Sequence, residues 1–399
     1  MMRAGTLSLL VAANTALAPL AIDAYLPALP QLASELGTTV HRAELSISIF
    51  LGGFAVGQLV CGPLSDRLGR KPILMTGLLL FMIASVMLAM SSSLTELFAW
   101  RFVQALGGGA SVVNSSAIVR DCFKGREAAK VMSTMAMIMM LAPLVAPLIG
   151  SILLYLAGWQ SVFLFLAAYA AMVLLVIGFG LPETHPGGST AVTPMRVLRN
   201  YASVLGHREA RGYICAVAMS FSGLMAFVTS SPFVYMELLK ISPAVYPFVF
   251  GANIIFVAMC SRMNVRLLRH RSPRQNLLLG LGIQLMSALA LVMVATSGMV
   301  TMYSVVPFVM LFVGAIGLVT PNAIASVLEY FPHISATAAA LMGGIKFVCA
   351  GLAGFLVTFF EVDSIWPMVL MMLCVSVIGN LGLRWLTSSQ ESLQRVEEG

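Results

Sequence analysis

Apolar residues run through this chain in twelve long blocks, and most of the polar residues sit in the gaps between them. The blocks cover about 5–27, 43–62, 72–91, 95–118, 130–155, 160–181, 211–236, 244–264, 275–296, 300–327, 335–360 and 365–386. Most have the roughly 20 residues that an α-helix needs to cross a bilayer. Most gaps are short, which predicts that consecutive helices are antiparallel neighbours. The exception is 182–210, where Pro182 and Pro186-Gly187-Gly188-Ser189-Thr190 precede Arg196, Arg199 and Arg208. It divides six helices from six. The pattern therefore predicts an all-α integral membrane fold of twelve transmembrane helices in two six-helix bundles. The first bundle is expected over 1–190, a cytoplasmic linker over 191–210 and the second bundle over 211–399. Within the linker, 194–207 reads as an amphipathic helix lying on the membrane surface.

Composition agrees with lipid as the solvent. Hydrophobic residues make up 59% of the 399 and charged residues only 10%, too little charge to solvate a soluble protein of this size. The formal charge of +7 would fit nucleic acid, but its distribution fits a membrane. Nineteen of the 23 Lys and Arg fall in gaps or at block ends assigned to one face, two (Arg42 and Lys240) to the other, and Arg101 and Lys346 lie well inside apolar blocks. By the positive-inside rule the rich face is the cytoplasm, which places both termini there. An alternative for the start of the chain is a signal peptide, Arg3 followed by an apolar run ending Ala16-Leu17-Ala18. That run, however, continues to Leu26, long enough to span. The six cysteines lie in or at the ends of helices with no spaced pair, so free thiols are expected.

The gap between the second and third blocks is Gly62-Pro63-Leu64-Ser65-Asp66-Arg67-Leu68-Gly69-Arg70-Lys71. It reads as a short basic loop on the cytoplasmic face, with glycines that let two helix ends approach. This stretch resembles the G-x-L-x-D-R-x-G-R-K loop of the major facilitator superfamily of transporters. Ile22-Asp23-Ala24-Tyr25-Leu26-Pro27, Arg101-Phe102-Val103-Gln104 and Leu141-Ala142-Pro143-Leu144-Val145-Ala146-Pro147 are similar to the Bcr/CflA drug-resistance branch of proton-driven antiporters. The resemblance covers the whole chain. It implies a monomer of two halves related as parallel repeats, working by alternating access and exporting small molecules across the inner membrane in exchange for protons.

Inside lipid each ionisable group needs a reason. Asp23 is the only acid well inside a block, near the end of the first. A carboxyl held partly dry there can take and release a proton. The resemblance agrees, since acids at this position bear on substrate and proton binding; the competing reading is an acid at a helix end facing water. Arg101 matches the arginine of the family's R-x-x-Q-G pattern, at a depth similar to Asp23. An ion pair or a water-bridged pair between them is expected, or else Arg101 snorkels to headgroups. Ala105 replaces the pattern's glycine and Gly107-Gly108-Gly109 follows, so close packing is expected to shift by half a turn. Lys346, mid-block in Gly343-Gly344-Ile345-Lys346-Phe347, departs from the branch, which carries a neutral residue there. A lysine at that depth faces water, an acid or an anionic ligand, or is neutral. Its presence favours zwitterions, carboxylates or neutral compounds over lipophilic cations, unless it only pairs with Asp23.

Uncharged candidates for the cavity wall are Asn14, Gln58, Gln104, Asn114, Asn253, Gln284 and Asn322; some would instead pin helices together. Tyr25, Phe54, Tyr235 and Met225 would add an adaptable wall. Asn114 and Asn322 each follow a glycine, Gly109 and Gly317, in the fourth helix of their half, a faint repeat echo. Asp66, Arg67, Arg70, Arg120 and Asp121, with Gly62 and Gly69, are read as a cytoplasmic gate latch. Pro143, Pro147 and Gly150 in the fifth block resemble the antiporter-associated segment, where a packing kink is as good a reading as a coupling role.

The exclusions are equally direct. No G-x-x-x-x-G-K-[ST] occurs, so no ATP site is expected. The five histidines lie in gaps or at block ends, so neither a proton relay nor a metal cluster of histidines is expected. No nucleophile stands with a base at recognisable spacing, and no cofactor is expected. A membrane enzyme is thereby disfavoured. Two functions remain: drug/proton antiport, or dedicated export of an endogenous anionic or zwitterionic metabolite such as a siderophore.

Overall fold

The structure is a computed structural model that describes residues 4–123, 125–184, 194–331, 334–360 and 363–397. A few side chains within these ranges, Asp66 and Arg120 among them, lie outside the described residues. Every described regular element is helical. By contact the chain divides into two compact units, 1–193 with 231–251, and 194–230 with 252–399.

The first unit holds α1 (Ala4–Asp23), a 3₁₀ turn (Leu26–Ala28), α2 (Leu29–Glu35), α3 (Val40–Leu68), α4 (Arg70–Ala89), α5 (Leu94–Cys122), α6 (Gly125–Ala157) and α7 (Gln160–Gly180). It also takes in the π-helical segment Pro232–Leu238 and the first turn of α10 (Tyr246–Leu267). The first apolar block runs on past its expected end. The helix breaks after Asp23 and resumes through α2, so the apolar span covers Leu9–Glu35. Pro27 and Pro30 each stand in the first turn of a new helical piece, where a proline's missing N–H costs nothing. Asp23 thus sits at a break within the span, not near its end.

α5 packs against α3 and α4, and α4 against α7. Close approach occurs where the glycine run predicts. A Cβ on Gly107 would meet the Gly77 carbonyl of α4 at 2.5 Å, and one on Gly109 would strike the Phe54 carbonyl of α3. The packing has moved past Ala105, which is itself fully buried. The stretch read as a loop at 62–71 is narrower than expected. α3 continues to Leu68, α4 starts at Arg70, and only Gly69 breaks the helix, at φ 98 and ψ 154.

The second unit holds α8 (Pro194–Gly206), α9 (Arg208–Ser231), the rest of α10, α11 (Pro273–Ser297), α12 (Met302–Gly314), α13 (Ile316–Tyr330), α14 (Ser335–Phe359) and α15 (Trp366–Glu397). The tenth block is two helices, turning at Ala315. α8 is the expected amphipathic helix. Val204 is buried among Tyr213, Ile214 and Val327, while Met195, Leu198 and Leu205 stay exposed as a lipid-facing strip would. Gly317 of α13 repeats the role of Gly109: a Cβ there would meet the Val257 carbonyl of α10 at 2.7 Å. Asn114 and Asn322 each donate to the carbonyl four residues back, Ala110 at 2.8 Å and Leu318 at 2.7 Å. The sequence echo is therefore a shared packing device, present once in each unit.

Eleven helical stretches among the described residues are long and apolar enough to cross a membrane. The remaining apolar block lies in the 33-residue α6, where Leu141–Ala157 is the described apolar stretch. All six cysteines are free.

Candidate functional site

The break in α1 gathers the first group of candidates. A helix leaves its last four carbonyls without intrahelical partners. One of them, Ala21, accepts from Arg101 Nη1 at 3.1 Å. The same nitrogen donates to Gln104 Oε1 at 2.8 Å, and Gln104 Nε2 donates to Ser85 Oγ of α4 at 2.8 Å. The guanidinium lies 4.6 Å from the Tyr25 ring, 4.8 Å from Phe50 and 5.6 Å from Phe163. Cation–π attraction of this kind strengthens when water is excluded, and Arg101 is fully buried. Arg101 makes no direct ion pair among the described residues; an aromatic cage and a helix-end carbonyl hold it. It does not snorkel. Its Nε and Nη2 have no hydrogen-bond partner among the described residues.

Asp23 is 5% exposed, and its carboxyl makes no hydrogen bond or ion pair among the described residues. Tyr246 lies within electrostatic reach of it. A buried carboxyl without a partner is costly when ionised. The turn that carries it is held from two sides. Gly150 of α6 crosses so close that a Cβ there would run into the Ala24 carbonyl. At the end of α2, Glu35 accepts from Trp159 Nε1 at 2.7 Å and from Gln31 at 2.7 Å. Tyr25 is fully buried, and its hydroxyl accepts from Ser46 at 3.2 Å. Pro143 and Pro147 both stand inside α6, which runs unbroken through them.

Sequence reasoning missed two acids. Glu183 caps α4: its carboxylate accepts from the backbone N–H of Arg70 at 3.0 Å and of Lys71 at 3.1 Å. A carboxylate belongs at a helix N-terminus. It fills the space a Gly69 side chain would need. Arg70 then reaches Asp121 at 3.2 Å and Ser65 at 2.7 Å, joining α3, α4 and α5. Arg67 is exposed and Gly62 faces Val113; the Asp66 and Arg120 side chains lie outside the described residues. The second missed acid is Glu44. It starts the second apolar block, where an acid reads as water-facing, yet it is fully buried.

Lys346, Asn253 and Asn322 lie in the second unit. Lys346 Nζ stands 4.3 Å from the Phe221 ring and 4.9 Å from Phe347, the two rings meeting edge to face. Lys346 is half-buried and makes no ion pair among the described residues. On α14 the exposed apolar stripe is Val348, Leu352, Phe355 and Phe359, and helical spacing puts Lys346 on the opposite side. Asn253 is buried. Asn322 pins helices: it donates to Asn264 Oδ1 at 2.7 Å, which also accepts from Asn276 at 2.9 Å. Asn14 does the same in the first unit, donating to Ser111 and Ser115. No group of three His, Cys, Asp or Glu among the described residues could hold a metal ion.

Helical spans, buried ionisable groups at a helix break and a glycine-turned basic junction define a polytopic membrane transporter. The chain belongs to the Major Facilitator Superfamily, whose model matches residues 11–354. It is 32% identical over 373 residues to the bicyclomycin resistance protein homolog of Haemophilus influenzae, covering 93% of this chain and 94% of that one. An uncharacterized MFS-type transporter of Bacillus subtilis, YdgK, is 31% identical over 387 residues, 94% and 93% of the two chains. Multidrug resistance protein MdtL of Escherichia coli is 35% identical over 221 residues, 55% of this chain and 56% of that one. The fold matches that of the xylose transporter XylE from E. coli with a TM-score of 0.72 at 14% identity, covering 96% and 97%. The protein is thus a multi-pass membrane transporter of small molecules and not an enzyme.

Proposed function

We propose that this chain is a proton-coupled efflux antiporter that exports small molecules, antibiotics among them, by alternating access across the cytoplasmic membrane. Asp23 carries the reading. It is an acid at a break in a membrane span, buried, with no cation or donor among the described residues to fix its charge, so its proton is free to come and go with the cargo. Arg101 supplies a fixed positive charge on the carbonyl of Ala21, held in place by Gln104 and the aromatic cage. The names of the relatives support export of drugs. The basic gaps support both termini in the cytoplasm, and the two apolar half-chains support six-helix bundles over 1–190 and 211–399 joined by the linker 191–210, acting as a monomer. The test is transport by purified protein in proteoliposomes with an imposed pH gradient, against a panel of lipophilic cations, anions and zwitterions. Substrate-dependent proton flux supports the reading; substrate movement indifferent to the gradient contradicts it.

Lys346 favours a second reading, dedicated export of an anionic or zwitterionic metabolite. An ammonium flanked by two phenylalanines, with no acid partner among the described residues, suits an aromatic or carboxylate-bearing ligand. If Lys346→Gln abolishes anion export and spares drug export, the second reading holds. If it leaves the preference for anions unchanged, Lys346 is structural.

A further inference from the structure

The buried Glu44 sits in the second turn of α3. Its Oε1 accepts from the backbone N–H of Phe233 at 3.1 Å. Its Oε2 lies 3.6 Å from His41 Nδ1, one turn earlier. The His41 ring in turn packs on the Phe233 ring with centroids 4.1 Å apart. Residues Glu44 and His41 therefore grip one residue from two directions. That residue opens the π-helical segment Pro232–Leu238. Pro232 brings no N–H, and Phe233 sends its own to Glu44. π-Helical turns of this kind are rare and cluster at functional sites. The segment belongs to the first unit, although α9 before it and most of α10 after it belong to the second.

We propose that Glu44 is a second proton-carrying carboxyl of this transporter, one that holds the segment 232–238 against α3 while ionised and releases it when protonated. An amide bonded to a carboxylate is held about twice as strongly as one bonded to a neutral acid oxygen, so a proton on Glu44 loosens the grip. The groups facing it are His41 on its own helix, Glu237 on the π-helical segment, Tyr25 at the α1 break and Tyr246 on α10. Tyr246 is bonded through its hydroxyl to Ser231 at 2.7 Å and lies within reach of both Glu44 and Asp23. The two acids thus share one polar cluster. The transport role rests on the proton-coupled reading above; the grip on 232–238 does not.

The experiment is hydrogen–deuterium exchange of the full-length protein in lipid nanodiscs, read on peptides covering 233–241 and corrected for intrinsic rate. In the wild type, exchange of these amides is expected to rise about five- to tenfold between neutral and acidic pH, the size of the difference between a charge-assisted and a neutral hydrogen bond. Glu44→Gln, which keeps the shape and an acceptor oxygen, is expected to show the fast, acidic rate at every pH. His41→Phe, which keeps the ring contact, is expected to retain the pH response with a shifted midpoint. Peptides from α5 and α11 report whether each variant is folded. A Glu44→Gln protein that keeps the wild-type pH response overturns the proposal, whatever Asp23→Asn does to transport. Conversely, an Asp23→Asn protein that still couples to protons removes the antiport reading of Asp23 and leaves the Glu44 grip standing.

Discussion

Arg101 donates to the carbonyl of Ala21, two residues before Asp23, whose carboxyl has no partner among the described residues. One buried cation thus secures the helix break at which the acid stands, without neutralising the acid. The separation matters for function. An acid in a tight ion pair is held ionised; Arg101 is instead engaged by a carbonyl, an amide oxygen and three rings.

Removal of Arg101 is therefore expected to damage the break itself. Arg101→Ala leaves the Ala21 carbonyl and the Gln104 oxygen without a donor, at about 1–3 kcal/mol for each buried group left unmade. Arg101→Lys keeps the charge but loses the planar guanidinium that stacks on the three rings while its Nη1 meets both acceptors. Thermal unfolding in detergent is expected to rank wild type above Lys and Lys above Ala. A lysine variant as stable as the wild type contradicts this account.

Glu183 and Gly69 make a matched pair. Gly69→Ala places a side chain at φ 98 and into the Glu183 carboxylate, with the backbone alone costing about 1–2 kcal/mol. Glu183→Ala leaves two N–H groups of α4 uncapped, a loss of about 0.5–2 kcal/mol. The two substitutions attack one contact, so their combined effect on unfolding is expected to fall short of the sum. Full additivity indicates independent roles.

Gly150 sets how closely α6 crosses the turn after Asp23. Gly150→Val is expected to push the helices apart, at about 1–3 kcal/mol of overpacking, and to lower transport more than the equally apolar change Ala157→Val at the end of α6. Equal transport by the two variants contradicts a positioning role for Gly150.

The fold was legible because lipid imposes length and apolarity on every span, a constraint local to each block. Asp23, Arg101 and Lys346 stood out for the same reason, as charges inside such blocks. Glu44 and Glu183 were illegible. Each lies at a block end, where water is the default, and each is buried or bonded by a segment distant in sequence: Phe233 for Glu44, Arg70 and Lys71 for Glu183. Asn322 shows the same limit from the other side. Its polarity in a span was evident, but whether it faces a cavity or a neighbour depends on Asn264, 58 residues away. The break after Asp23 was half legible. Pro27 signalled a change, yet the continuation to Glu35 follows from the anchor that Glu35 finds in Trp159.

The most direct measurement is proton uptake by Asp23→Asn protein in proteoliposomes during substrate exchange. The asparagine keeps the shape of the turn and removes the exchangeable proton. The account predicts that substrate still binds and equilibrates but no longer moves against its gradient when a pH gradient is imposed. Gradient-driven accumulation at the wild-type level by Asp23→Asn would show that the proton travels elsewhere.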